Sequence, residues 1–297
     1  MPEKVMMIGS NGQLGSEIVR QLQTGGSVLG TIPGAFADAE IIALDIPLLD
    51  ITHQEQTLRT ICEYRPTVII NCAAYTNVDG CESHPDEAFL VNAIGVRNIA
   101  RAADQVHAKL LHVSTDYVFA GDGTLPYSEY DQPNPDSVYG KTKLLGERYM
   151  QQFCSRWFIV RTAWLYGANG KNFVKTIINA ARAKGAVTVV DDQFGNPTNA
   201  EDLAYHILKI AATEQYGIYH CTGTGICSWY DFACRIIDKA GIDAAVHPCT
   251  TKQYASPTKR PAYSALEHRM LRLTVGDQMR PWETALEQFL QEQRGKI

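Results

Sequence analysis

Short apolar runs alternate with amphipathic segments through the first half of the chain. The runs at 5–8, 41–44, 68–70, 110–113 and 158–160 have the length of buried strands. After the first of them, Ile18, Val19 and Leu22 recur at helical spacing with polar residues between them. Strands that are almost entirely apolar and alternate with helices predict a parallel sheet covered on both faces. The predicted fold class is therefore α/β, with a doubly wound parallel sheet.

The regular alternation weakens after about residue 166. Thr52 and Glu55 form a capping-box pattern for a helix ending near Tyr64, and a longer helix is predicted from Ala88 to Ala103. Further helical patterns lie near 173–183, 200–212, 228–240 and 282–293, while 120–136 and 248–261 are predicted to be irregular. We expect one domain at 1–165, joined by about 198–222, and a smaller, discontinuous carboxyl-terminal lobe within 166–297.

A glycine-rich turn follows the first predicted strand and opens the first helix. Gly9, Gly12 and Gly15 allow a tight turn and a close backbone approach to a pyrophosphate, which the helix N-terminus then attracts. This context predicts a Rossmann-like dinucleotide site, although a tight turn without a ligand uses the same spacing. The remaining residues assigned to this cofactor site are Asn11, Gln13 and Leu14.

Asp45 ends the second predicted strand, where a carboxylate accepts hydrogen bonds from an adenosine ribose. No Lys or Arg lies between Arg20 and Arg59 to neutralise a 2′-phosphate, so the sequence favours NADH. Backbone amides or a distant residue could serve NADPH instead, and a capping role for Asp45 is the alternative.

Tyr139 and Lys143 are four residues apart, so they share one face of a helix. The nearby Lys143 ammonium is expected to stabilise the phenolate, and Thr115, at a strand end, is expected to hold the same substrate oxygen. These three residues are therefore predicted to be catalytic. A surface helix pair is the alternative interpretation.

The motifs together resemble those of the dTDP-4-dehydrorhamnose reductase family, which belongs to the extended short-chain dehydrogenases/reductases. The resemblance spans almost the whole chain. The segments that carry it are Gly9–Gly15, Asn71–Asp79, Val91–Asn92, Ser114–Phe119, Val138–Lys143, Arg161–Trp164, Asn172–Phe173, Asp192–Thr198, Ser228–Tyr230 and Arg260–Ser264.

The resemblance implies reduction of the C4 carbonyl of a 4-keto-6-deoxy nucleotide sugar by NADPH or NADH, with Tyr139 as proton donor. Lys143 would also bind the cofactor ribose, and further cofactor contacts would come from Ala73, Ala74, Tyr75 and Asn92. The lobe would bind substrate, and the sugar-pocket residues would be Val78, Thr115, Tyr117, Trp164 and Asn172. Related dehydratases carry Asp-Glu after the threonine, whereas Tyr117 follows Asp116 here, so the dehydratase interpretation fails.

Arg260 is a candidate clamp for the substrate diphosphate, because its guanidinium binds phosphate in a bidentate manner. A solvated basic turn is the alternative. Trp164 is expected to face the sugar pocket, and Trp229 to pack in the core or the lobe.

The composition argues against several classes of binding partner. A net charge of −5 argues against nucleic acid and anionic membranes, and no apolar stretch reaches membrane-spanning length. The eight cysteines lack the spacing of a zinc site and do not suggest a disulfide scaffold. Some relatives bind magnesium through acidic side chains at a dimer interface, but no such cluster is matched here, so no metal is assigned. We expect a cytoplasmic monomer or homodimer. A reductase of another 4-keto-6-deoxy nucleotide sugar and a non-catalytic, cofactor-binding regulatory subunit remain alternatives. The regulatory subunit of methionine adenosyltransferase resembles these reductases.

Overall fold

The computed structural model describes residues 2–255 and 257–295. Its strands are β1 Lys4–Ile8, β2 Gly26–Ser27, β3 Gly30–Thr31, β4 Glu40–Leu44, β5 Val68–Asn71, β6 Lys109–Thr115, β7 Trp157–Thr162, β8 Leu165–Tyr166, β9 Ala186–Val190, β10 Phe194–Gly195, β11 Thr198–Asn199, β12 Gly217–His220, β13 Cys227–Ser228 and β14 Ala245–Cys249. Its α-helices are α1 Gln13–Thr24, α2 Gln54–Tyr64, α3 Val78–Ser83, α4 Pro85–Phe89, α5 Val96–Gln105, α6 Val138–Phe153, α7 Phe173–Lys184, α8 Ala200–Ala211, α9 Trp229–Ala240, α10 Thr251–Tyr254, α11 Arg269–Leu273 and α12 Trp282–Glu292.

Six parallel strands form the central sheet, in the order β12-β7-β6-β5-β1-β4. All five predicted apolar runs lie within strands of this sheet, and the α/β prediction is confirmed. The chain passes from β1 to β4 on one side and later to β5 on the other side. This reversal creates the switch point at which doubly wound sheets bind their ligands.

Helices cover both faces of the sheet because successive strand residues point to opposite sides. Val5 and Met7 of β1 belong to the core that includes residues of α1 and α8. Met6 and Ile8 belong to the opposite core, with residues of α2, α5 and α6. The resulting three layers hold the carboxyl ends of the strands in fixed positions.

The carboxyl-terminal part of the chain builds a separate apolar cluster. Side chains of α7, α9 and α12 pack together there with strands β9 and β14, which pair in parallel. Not all of this part belongs to the lobe: β12 lies beside β7 at the edge of the central sheet, and α8 packs against α1. The two-domain division at 165 stays a prediction.

Three details of the predicted secondary structure differ from the structure. The helix expected from 88 to 103 is divided among α4, a π-helical segment Leu90–Gly95 and α5. The capping box at α2 was wrong, because His53 is the N-cap and the Thr52 hydroxyl donates to Asp50 instead, at 2.7 Å. The stretch 248–261, in which Ser256 lies outside the described residues, contains the end of β14 and the short helix α10.

The last four predicted helices agree with α7, α8, α9 and α12 to within one residue at each end. Over residues 2–255 and 257–295, no helix is both long and apolar enough to span a membrane.

Candidate active site

A cleft of about 570 Å³ lies along the carboxyl ends of the sheet strands. It extends from the glycine turn, at Gly12 and Gly15, to Tyr139 and Lys143 on α6. Trp229, at the start of α9, lines the side contributed by the lobe. A single cleft thus joins the predicted cofactor site to the predicted proton-transfer site.

Two of the three glycines in the turn, Gly9 and Gly15, have no room for a side chain. Gly9 has a φ of +80°, and a Cβ there would lie 2.7 Å from the backbone nitrogen of Ala73. A Cβ on Gly15 would lie 2.1 Å from the carbonyl oxygen of Gly9. Gly12 is the N-cap of α1 and supplies no capping side chain, which leaves the first N–H groups of the helix for a phosphate. The turn therefore fits a dinucleotide.

Side chains around the turn fix its shape. Asp45 accepts hydrogen bonds from the backbone N–H groups of Asn11 and Ile46, at 2.9 and 2.8 Å. Gln13 donates to the Leu165 carbonyl oxygen at 3.2 Å, and its own side-chain oxygen accepts from Asn172. Leu14, also assigned to the cofactor site, has a buried side chain but lines the cleft as well. Asp45 thus supports the turn, and its contact with a ribose stays a prediction.

The loop after β5 is tied to the helical segment that contains Asn92. The Asn92 side chain accepts from the Tyr75 N–H at 2.8 Å and donates to the Tyr75 carbonyl oxygen at 3.1 Å. It also donates to the Thr142 hydroxyl on α6. Ala74 lines the cleft, and Ala73 donates its N–H to Asn71. Asn92 therefore positions the loop that faces the cofactor site.

Thr115 and Tyr139 meet in the cleft. Both residues line it, and the Thr115 hydroxyl donates to the buried carboxylate of Asp116 at 2.9 Å. Burial raises the pKa of Tyr139 well above its ordinary value, and its interaction with Thr115 only partly opposes this. Burial also raises the pKa of Asp116 to about 6. Burial thus favours the protonated phenol when no cofactor is bound, and stabilisation of the phenolate by Lys143 stays a prediction.

Lys143 lies one turn after Tyr139 and is 2% exposed. Its Nζ donates to the Val113 carbonyl oxygen at 2.7 Å and lies 3.1 Å from Nε2 of His112. Burial lowers the pKa of Lys143 to about 8, and the charge of Glu147 opposes the decrease. His112 was not predicted to belong to the site, because it lies within an otherwise apolar strand.

A buried ion pair supports α6 behind the site. Glu147 and Arg161 are each about 2% exposed in their side chains and lie 2.7 Å apart, and Ser114 donates to the same carboxylate. A second nitrogen of Arg161 donates to the other oxygen of Glu147 at 3.0 Å, so the pair is bidentate. This pair, which no local sequence pattern predicts, connects the helix of Tyr139 to β6 and β7.

Some of the residues predicted to bind the sugar lie together in the cleft. Val78 and Tyr117 line the cleft and pack near Tyr139. Arg260 donates to the Tyr117 hydroxyl at 3.2 Å and to the Asp79 carboxylate at 2.8 Å. Arg260 therefore lies beside the pocket in an ion pair, rather than in a freely solvated turn.

Asn172 is buried beneath the rim of the cleft. Its side chain caps α7 by accepting from the Lys175 N–H at 3.1 Å, and it donates to Gln13 at 2.8 Å and to the Gly167 carbonyl oxygen at 2.9 Å. These bonds hold the start of α7 against the glycine turn. Direct contact between Asn172 and the sugar stays a prediction.

Trp164 and Trp229 form one aromatic wall. Their rings are stacked, with centroids 3.5 Å apart and planes inclined by 7°, and both residues line the cleft. Trp164 adopts a φ of +47°, and its ring lies so close to Gly195 that a Cβ there would be 2.6 Å away. Trp229 also packs on Phe173, so it contributes both to the cleft and to the lobe core.

Within the described part of the chain, no three or more His, Cys, Asp or Glu side chains lie together in a group that could hold a metal ion.

Known proteins share this fold along nearly the whole chain. The sequence model of the RmlD substrate binding domain family matches residues 3–294 of this chain. A dTDP-4-dehydrorhamnose reductase of Clostridium acetobutylicum is 45% identical, covers 98% of this chain and 99% of its own, and superposes with a TM-score of 0.92. A second reductase of that name, from Bacillus anthracis in complex with NADP, is 43% identical with a TM-score of 0.91, over 98% and 100% of the chains.

Curated relatives extend this agreement. The spore coat polysaccharide biosynthesis protein SpsK of Bacillus subtilis is 40% identical over 97% of each chain. A probable dTDP-4,6-dihydroxy-2-methyloxan-3-one 4-ketoreductase of Streptomyces antibioticus is 37% identical over 95% of this chain and 92% of its own. The chain described here belongs to the RmlD substrate binding domain family, which includes the dTDP-4-dehydrorhamnose reductases.

Proposed function

We propose that the protein is an NAD(P)H-dependent reductase that converts dTDP-4-dehydro-L-rhamnose to dTDP-L-rhamnose. The observation that carries this proposal is that Thr115, Tyr139 and Lys143 line the same cleft as the glycine turn. The names of relatives that match over almost the full length support the same reaction.

The high pKa of Tyr139 agrees with its proposed role. A bound nicotinamide cofactor supplies the hydride for the C4 carbonyl carbon, and the carbonyl oxygen then needs a proton. A neutral phenol donates that proton directly, whereas a phenolate would first have to be protonated. Thr115 positions the sugar oxygen beside the phenol, and Lys143 and Asp45 are proposed to contact the cofactor riboses.

The remaining pocket residues are proposed to bind the sugar and its diphosphate. Val78 and Tyr117 provide apolar and aromatic surface near Tyr139, and Trp164 adds aromatic surface elsewhere in the same cleft, which suits a deoxy sugar with a methyl group. Arg260 has donors beyond those used by Tyr117 and Asp79, so its guanidinium is suited to a phosphate oxygen.

We also propose that the enzyme works in the cytoplasm, as a monomer or a homodimer. All eight cysteines are free thiols, as expected of a protein in a reducing compartment.

A second candidate function changes only the sugar. The relative named as a 4-ketoreductase of a different dTDP-sugar is 37% identical over most of the chain. The proton-transfer residues are compatible with this substrate, since they act on the C4 oxygen and not on the remainder of the ring.

The decisive assay is incubation of the purified protein with dTDP-4-dehydro-L-rhamnose, with NADH and NADPH in separate reactions. We expect oxidation of the reduced nicotinamide and formation of dTDP-L-rhamnose. If neither cofactor is oxidised, the reductase proposal fails. Turnover only with another 4-keto-6-deoxy sugar would support the second candidate, and cofactor binding without turnover of either sugar would support a regulatory subunit.

The Tyr139→Phe variant tests the assignment of the proton donor. It should bind cofactor nearly as tightly as the native protein, while kcat falls by about two orders of magnitude or more. Native kcat in this variant would mean that the proton comes from another group.

A further inference from the structure

The hydroxyl group of Thr115 already makes two hydrogen bonds at the end of β6. It accepts from the backbone N–H of Tyr117 at 3.2 Å, and it donates to Oδ1 of Asp116 at 2.9 Å. Thr115 and Asp116 are both buried, and both line the cleft. A hydroxyl group has one proton and two lone pairs, so Thr115 retains a single lone pair for a ligand.

The direction of the bond between Thr115 and Asp116 follows from the charge of the carboxyl group. An ionised carboxylate only accepts hydrogen bonds, so the Thr115 proton points at Asp116 whenever Asp116 is charged. Burial raises the pKa of Asp116 to about 6, and interactions with the Ser264 and Thr115 side chains only partly oppose this increase. Asp116 is therefore mostly ionised at pH 7.5, and Thr115 is then an acceptor towards the cleft.

An acceptor at this position suits the product of the proposed reaction but not its substrate. The C4 carbonyl oxygen of the substrate has lone pairs and no proton, so it needs a donor, whereas the C4 hydroxyl group of the product can donate to Thr115. We propose that Asp116 is a positioning residue, which takes up a proton when the ketone binds and thereby turns the Thr115 hydroxyl towards the C4 oxygen. This inference rests on the proposed reductase function.

The neutral acid is accessible because one oxygen of the Asp116 carboxylate receives no donor. Among residues 2–255 and 257–295, Oδ2 of Asp116 is buried without a hydrogen-bond partner. Burial of a carboxylate oxygen without a donor disfavours the ionised form. In the neutral acid, the carboxyl O–H donates to the Thr115 oxygen, which still accepts from Tyr117. The Thr115 proton is then released for the ketone.

The titratable groups around Asp116 do not neutralise its charge. Tyr117 in the same turn and Tyr139 on α6 have phenols whose pKa is raised by burial, so neither is a cation or an anion when no cofactor is bound. Lys143 on α6 donates to the Val113 carbonyl oxygen at 2.7 Å. The guanidinium groups of the site are held by other carboxylates, Arg161 by Glu147 and Arg260 by Asp79.

The test counts the protons that each sugar takes up on binding. Isothermal titration calorimetry at pH 7.5, in two buffers of different ionisation enthalpy, gives this number for dTDP-4-dehydro-L-rhamnose and for dTDP-L-rhamnose. The protein is saturated with a tetrahydronicotinamide analogue of the reduced cofactor, which does not transfer hydride, so both sugars bind without reacting. Protons linked to the diphosphate cancel in the difference, because both sugars carry it. We expect the ketone to take up nearly one proton more than the alcohol, and an equal count would overturn the proposal.

The affinity for the ketone provides a second measurement. If the ketone binds only the neutral acid of Asp116, its dissociation constant should rise about tenfold between pH 7 and pH 8, because both values lie above the pKa of about 6. The dissociation constant of the alcohol should change little over the same range. The same pH dependence for both sugars would contradict the role of Asp116.

Asp116→Asn separates this role from a structural one. The amide is nearly isosteric, and it donates an N–H to Thr115 without taking up a proton. The variant should bind the ketone equally at pH 7 and pH 8, and the difference in proton count should disappear. Asp243→Asn is the matched control, since Asp243 is exposed between α9 and β14 and should leave the native pH dependence unchanged. Native proton uptake in folded Asp116→Asn would assign the proton to another group and refute the proposal.

Failure of this proposal and failure of the reductase function are distinguishable. A native protein that reduces the ketone but takes up no extra proton would refute the role of Asp116 and leave the reductase function intact. Absence of turnover with every sugar would refute the reductase function itself, and the role of Asp116 with it.

Discussion

Replacement of Lys143 by Met tests how strongly burial disfavours its charge. Methionine has a similar length and no charge, so it removes the buried amine while largely preserving the packing of α6. It also removes the hydrogen bonds to Val113 and His112, and this loss is expected to be nearly independent of pH. The informative quantity is therefore the change with pH in the stability difference between the native protein and Lys143→Met.

The expected magnitude follows from the two pKa values of Lys143. Burial lowers its pKa from 10.5 to about 8, so between these values the unfolded chain binds the proton more tightly than the folded protein does. The free energy of unfolding of the native protein therefore rises with pH across this window, whereas the variant lacks this contribution. Between pH 7 and pH 9.5 the native protein should gain about 2 kcal/mol relative to Lys143→Met.

Urea unfolding of both proteins at pH 7 and pH 9.5, followed by circular dichroism, measures this difference. Lys141→Met is the matched control, since Lys141 is exposed on the same helix and should give the same stability difference at both pH values. A stability difference for Lys143→Met that is equal at pH 7 and pH 9.5 would refute the reasoning.

Two further substitutions test parts of the site that rest on packing and charge. Gly15→Ala should abolish cofactor binding measured by fluorescence titration, because its Cβ would lie 2.1 Å from the Gly9 carbonyl oxygen. Gly34→Ala is the control, since a Cβ at Gly34 meets no atom within 4 Å, and this variant should bind cofactor normally. Glu147→Gln should lower the free energy of unfolding by about 3 kcal/mol, because it leaves the Arg161 guanidinium buried without a counter-charge. Urea unfolding checks the second variant, and a loss below about 1 kcal/mol would show that the buried charge is compensated elsewhere.

Much of the fold could be predicted because its signals are local in the sequence. The apolar runs that became β1, β4, β5, β6 and β7 needed no knowledge of their neighbours. The glycine turn is also a local pattern, since its three glycines lie between a strand and a helix. The capping of α2 was misjudged because Thr52 had a competing acceptor in Asp50, two residues earlier.

The parts of the site that were missed depend on contacts between distant residues. His112 has the position of an apolar strand residue, and only the register between β5 and β6 brings Asn71 opposite to it. The pairing of Arg260 with Asp79 joins residues 181 positions apart, so no local pattern reveals it. The raised pKa of Tyr139 likewise depends on burial, which is a property of the assembled cleft.

The packing of α8 on α1 has a consequence for the order of events during protein synthesis. Gln21 of α1 donates to the Glu201 carbonyl oxygen of α8 at 2.8 Å, across a separation of 180 residues. A nascent chain that ends before residue 200 already contains the glycine turn and Tyr139, yet one face of its sheet is covered by α1 without α8. We therefore expect the cofactor site to become stable only late in translation, after α8 has left the ribosome.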